Sequence, residues 1–328
     1  MDASVVAAAT DSADTLALAA EAHMLLVPWR FYEHSRESRF PYQYPVSARA
    51  PTRRAVEYID QALAIQPHHA HALHLHIHLL EPSDAVARAA RSADTLLRLA
   101  TGPLGGVVDH LTHMPSHVYF NIQRFEDAAR ANDIALADAA AGAQTHCAYA
   151  YKLSHDAHVA AIAYARLGLW SEARGHAESA TGGRPYRRGC LVAALAARLG
   201  RWDEANLAAR AGSSQSNATG FDAAMCNLVL ALVAAVRRDA DTAGVARHAS
   251  DVACARVHGS DDDRVEPLCN AVRHASAAAL AFAIGDAQSG ARRWSEADDA
   301  SRNARYIEPP RWVLPTDDLK WPQRVGLM

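Results

Sequence analysis

The chain has 328 residues, 50% of them hydrophobic and 21% charged, enough apolar surface for a real core in one large or two ordinary domains. Its formal net charge of -3 leaves no basic excess to neutralise phosphates, and no apolar run approaches the roughly 18 to 20 residues that cross a bilayer, so neither nucleic acid nor a membrane is an expected partner. Met1-Asp2-Ala3-Ser4 lacks the basic start of a signal peptide, and a soluble, cytoplasmic protein is expected.

Taken in order, alanine-rich stretches with apolar residues every three or four positions, separated by short polar links, predict helices nearly throughout and an all-α fold. The first stretch holds Glu21, Ala22 and Met24 and runs into Pro28-Trp29. Residues 31–51 carry Pro41, Pro45 and Pro51 among aromatics and read as an ordered loop. A helix containing Ala55 and Ala62 closes at Pro67, before the histidine-rich run from His68 to His78. An aromatic, an acidic residue and an alanine then recur together in Arg124-Phe125-Glu126-Asp127-Ala128, Leu169-Trp170-Ser171-Glu172-Ala173, Arg201-Trp202-Asp203-Glu204-Ala205 and Arg293-Trp294-Ser295-Glu296-Ala297. Two of these follow the same words, Arg166-Leu167-Gly168 and Arg198-Leu199-Gly200. The first three repeat alanines lie 45 and 32 residues apart, the size of a helix-turn-helix unit. Residues 308–328 hold Pro309, Pro310, Pro315 and Pro322 and read as a non-helical tail. Cys147, Cys190, Cys226, Cys254 and Cys269 form no CxxC pair and are expected to be buried thiols in a reducing compartment.

These repeats resemble the tetratricopeptide-repeat superfamily. Ala161, Tyr164, Ala173 and Ala180 match one unit, Ser116, Tyr119, Ala128 and Ala135 another, and Ala55, Ala62 and Pro67 the end of an earlier one. The match is strongest from Ala55 to Ala209; Arg238 to Ala243 and Arg293 to Ala297 mark further hairpins. The resemblance implies a single α-solenoid domain over residues 1–328, built of antiparallel helical hairpins whose first helices line a concave side. A ligand is expected there, and a protein partner on the repeat surface.

Twelve of the eighteen histidines lie between His68 and His158, and eight of them share a register. His110, His113 and His117 lie 18, 15 and 11 residues before Ala128; His155 and His158 lie 18 and 15 before Ala173; His71, His74 and His78 lie 18, 15 and 11 before Ala89. Spacings of three and four place side chains on one helix face, so equal offsets in adjacent hairpins predict side-by-side stripes converging on one pocket. Ile162 and Ala165 continue the third stripe as apolar residues, and Glu81 continues the first as a carboxylate, either a ligand or a group behind the ligands. His68, His69 and His76 fall off the stripes and are expected at the surface or behind the ligands.

Neutral imidazole binds copper, zinc, iron and nickel, and three stripes offer more nitrogen than one ion uses. Two copper ions are therefore expected, with iron or zinc as alternatives; iron or manganese gains if Glu81 ligates, whereas zinc leaves surplus histidines. Pro115 disfavours a helical Met114 and predicts a break between His113 and His117. The words His110-Leu111-Thr112-His113-Met114-Pro115-Ser116-His117, His74 to Glu81 as H-x-x-x-H-x-x-E, His155-Asp156-Ala157-His158, Glu308-Pro309-Pro310-Arg311-Trp312, and Glu21-Ala22 with Met24, Pro28 and Trp29 look like a histidine-bearing bacterial branch of the superfamily. His71 lies outside that pattern. The branch supports fold and pocket and brings Glu21 forward as a further metal or supporting residue, but it supplies no substrate. Arg187 occupies the offset of His110 and His155 in the next hairpin and is a candidate for a substrate carboxylate; Trp29, Tyr42, Tyr44 and Trp312 are candidates to close the mouth. No Gly-rich phosphate loop, GxSxG or HExxH occurs. The expected activity is that of a metal-dependent oxidoreductase using O2 on a small, possibly aromatic, molecule, with a non-catalytic peptide-binding scaffold or a metal carrier as alternatives.

Overall fold

The computed structural model describes residues 12–28, 30–34, 46–102, 109–142, 150–180, 185–214, 220–257, 265–302, 313–315, 318 and 320–327. Regular structure among them is helical, as the apolar spacing predicts, apart from one two-stranded antiparallel ribbon. None of these helices is long and apolar enough to cross a membrane. The chain divides into two compact units, Met1–Lys152 and Leu153–Met328.

In the first unit, α1 (Ala13–Met24) starts where the Ser12 side chain accepts from the Thr15 amide, and it packs on α2 (Ala50–Ile65), whose first turn holds Pro51. Leu16, Ala20, Ala55, Ile59, Ala62, Leu75 and Leu79 form the core of these helices with α3 (Ala70–Leu80). Between α1 and α2 the segment read as a loop carries strands β1 (Tyr32–His34) and β2 (Val46–Ala48), with Glu33 opposite Ser47. Three-residue strands are too short to show an alternation, and the surrounding prolines mask them. His69 fixes the start of α3: its Nδ1 accepts from the Ala72 amide at 3.1 Å and its Nε2 lies 2.8 Å from Asp14 Oδ1. A 3-10 turn (Val86–Ala89) leads into α4 (Ala90–Thr101).

The break expected at Pro115 is present. Helix α5 (Asp109–His113) stops two residues before Pro115, and α6 (Pro115–Asn121) begins on it. Met114 keeps helical angles, and its amide donates to the His110 carbonyl at 3.0 Å, so the two pieces stay in sequence as one interrupted helix. A three-residue link then turns the chain into α7 (Phe125–Gly142), which packs on both α5 and α6.

In the second unit α8 (Ala150–Arg166) and α9 (Trp170–Ser179) are followed by α10 (Pro185–Arg198), α11 (Trp202–Ser213), α12 (Phe221–Val236), α13 (Ala240–Ala255), α14 (Val265–Ala283) and α15 (Ala287–Arg302). Each of α10, α12 and α14 packs on the helix that follows it; α10 also packs on α12, and α12 on α14. One device makes these hairpins. The links after α8, α10, α12 and α14, and after α6 in the first unit, are each three residues long with a left-handed middle residue: Gly168, Gly200, Arg238, Gly285 and Gln123. The residue after each donates back five positions, as in Leu169 to the Tyr164 carbonyl and Arg201 to the Ala196 carbonyl, which closes a Schellman cap. The repeated Arg-Leu-Gly words are these caps.

Two expectations are corrected here. Cys190 on α10 and Cys226 on α12 form a disulfide across 36 residues, whereas Cys254 and Cys269 are buried thiols; the pairing joins successive hairpins and leaves no local CxxC signal. Cys147 lies outside the described residues. The C-terminal tail is also partly helical, with α16 at Trp321–Arg324. Trp321 stacks on Trp294 with centroids 5.1 Å apart and donates its indole N–H to the Arg198 carbonyl, so aromatic burial orders a segment that its prolines mark as irregular.

Candidate metal centre

Five of the register histidines meet in the first unit. His74 and His78, four apart on α3, have ring centroids 4.7 Å apart, and His110 on α5 lies 5.1 Å from His74 and 6.1 Å from His78. One nitrogen from each of these three falls within 4.8 Å of the other two, against about 3.3 Å for nitrogens on one tetrahedral ion, a gap that small side-chain rotations close. His113 and His117, four apart across the Met114 break, sit 4.7 Å apart, and His110 and His113 6.3 Å. The result is a row of imidazoles running from a half-buried triad to a pair that is 0% and 5% exposed.

The ring nitrogens of the inner pair are fixed by their partners. Asn132 on α7 donates through Nδ2 to the Ala128 carbonyl at 2.7 Å, which turns its Oδ1 toward His113 Nδ1 at 2.6 Å. That oxygen only accepts, so His113 carries its proton on Nδ1. His117 Nδ1 lies 3.0 Å from Glu81 Oε2, an ion-pair distance at which the carboxylate favours a proton on that nitrogen. Neutral rings with their protons on those Nδ1 atoms turn the lone pair of Nε2 inward, and the two Nε2 atoms are 2.6 Å apart. Two lone pairs at that distance repel unless a positive species, a proton or a metal ion, lies between them. Glu81, 1% exposed, also accepts from His78 Nδ1 at 3.0 Å through its other oxygen. Nitrogen ligands whose far N–H is held by a carboxylate or an amide oxygen are what metal-binding histidines require.

The remaining candidates are distributed as follows. His71 stands in the first turn of α3, outside the triad, with Nε2 3.5 Å from Glu21 Oε2; both groups are more than a third exposed. Equal spacing fails here because a helix that begins at Ala70 places His71 beside α1 rather than α5. Glu21 accordingly faces His71 and not the cluster. His155 and His158 lie three apart on α8, in the second unit. Arg187 lies in α10 with its side chain outside the described atoms; Trp29, Tyr42, Tyr44 and Trp312 lie outside the described residues. His76 is buried rather than at the surface, with Nδ1 2.7 Å from Ser92 Oγ, and burial lowers its pKa to about 4. Asn132 was missed by sequence reasoning; its signal is a polar residue one turn after the repeat alanine in an otherwise apolar helix face, at 0% exposure.

No family model and no curated protein matches the chain.

Proposed function

We propose that this protein is a metal-dependent oxidoreductase with copper as the metal, two ions per chain, held by the histidine row. The observation that carries the reading is the inner pair, whose two Nε2 lone pairs face each other at 2.6 Å while both Nδ1 atoms are committed to Asn132 and Glu81. All-nitrogen donors suit both copper oxidation states, and copper bound there would supply reversible one-electron chemistry with O2. His74, His78 and His110 form the half-buried outer group, where a small organic molecule reaches the centre from solvent. Asn132 and Glu81 hold the ligand rings, and the burial of His113 and His117 excludes bulk water from the inner pair.

The three-residue links and the packing of first helix on first helix support a finer reading of the fold, a tetratricopeptide-like stack of antiparallel hairpins. Such stacks ordinarily serve as peptide scaffolds, but a scaffold has no use for buried imidazoles with oriented protons. The test is oxygen uptake by copper-loaded, untagged protein given a phenol or an aminophenol, chosen as easily oxidised aromatics. Turnover above a free-copper blank is expected. Uptake equal to the blank, with copper retained, would replace the oxidoreductase by a carrier.

A further inference from the structure

Glu81 follows α3 directly, and its position is fixed from both sides: its amide donates to the Ile77 carbonyl at 2.9 Å, and its own carbonyl accepts from Asn121 Nδ2 at 3.1 Å. Its carboxylate is almost wholly buried, an expensive placement for a charge unless donors surround it. The nearby donors come from two different places. Oε1 takes His78 Nδ1–H of the outer triad, and Oε2 faces His117 Nδ1 of the inner pair, each at 3.0 Å.

We infer that Glu81 is a positioning residue shared by the two groups: one carboxylate holds His78 and His117 in the Nδ1–H form and so turns both Nε2 atoms toward the metal sites. An ionised carboxylate only accepts, and it has two oxygens, so it serves two rings at once. A glutamine of the same shape cannot. Its amide offers one oxygen and one NH2 group, so one ring keeps its partner while the other faces a donor and must move its proton to Nε2. That second ring then ceases to be a ligand through Nε2. Glu81→Gln is thus expected to damage one group selectively, where a residue that merely filled space would damage neither.

The metal half of this inference rests on the function proposed above; the proton placement does not. The first measurement is long-range ¹H–¹⁵N correlation of the histidine rings in the metal-free full-length chain at about pH 8, above the ordinary imidazole range. Both His78 and His117 are expected as Nδ1–H, and one of them as Nε2–H in Glu81→Gln. An Nε2–H ring at either position in the wild-type chain overturns the inference, whether or not the variant folds. The second measurement is titration with Cu(I) against a competing chelator. The wild-type chain is expected to hold two ions, and Glu81→Gln to hold one of them 10- to 100-fold more weakly with helix content unchanged. Two ions held equally tightly by both proteins overturn the shared role. Wild-type rings in the Nδ1–H form together with no copper binding remove the oxidoreductase reading and leave the positioning role standing.

Discussion

At His113 the choice between two ring nitrogens is made by a residue on another helix. Asn132 is itself locked by the Ala128 carbonyl, so its oxygen has one orientation and His113 one proton site. Replacing Asn132 with alanine removes the acceptor and leaves a buried N–H without its bond, at a cost of about 1–3 kcal/mol. The same change frees the ring, and metal affinity should fall 10- to 100-fold. Denaturant unfolding and chelator competition measure the two effects, and Asn132→Asp, which keeps an accepting oxygen, should restore most of the affinity. Unchanged affinity in the alanine variant would return Asn132 to packing alone. The pattern of threes and fours made the histidine row legible because helical periodicity acts on neighbours in sequence. Glu81 was legible as a carboxylate continuing the first stripe, but its reach to His117 across 36 positions and that of Asn132 to His113 across 19 were not.

At the level of elements, the recurring words translate directly into backbone. Arg-Leu-Gly supplies the left-handed residue of a Schellman cap, and Arg238 and Gln123 adopt the same conformation without glycine in two further links. Those two links lack the Arg-Leu-Gly word, although Arg124 to Ala128 and Arg238 to Ala243 mark their hairpins, because the turn is a backbone requirement that several residues meet at different cost. The interruption at Met114 was legible for the opposite reason: proline lacks the amide that an unbroken helix needs. Pairing of α10 with α12 was invisible, because side-chain spacing within a helix says nothing about which cysteines meet between helices. Closing a loop of that length contributes about 2–4 kcal/mol, so reduction should lower the unfolding midpoint of the second unit. Thiol counting on denatured, unreduced protein should find two fewer thiols than after reduction. An equal count would remove the disulfide and reinstate the free cysteines expected from sequence.

For the whole molecule, the all-α class follows from composition and apolar spacing, while the division into two compact units and the anchoring of the tail by Trp321 depend on contacts that no local pattern announces. The histidine row lies within the first unit, and its chemistry depends on the convergence of α3, α5, α6 and α7 there. A metal that binds this folded arrangement and not the unfolded chain must also stabilise it, by about 2.7 kcal/mol at a hundredfold excess over Kd. The most direct test of the central claim is elemental analysis of full-length protein purified without a histidine tag and reconstituted with copper, iron and zinc in turn. About two ions of copper per chain are expected after desalting. Less than about 0.2 equivalents of every one of these metals would contradict the metal centre and leave the five imidazoles as a buried proton-sharing network.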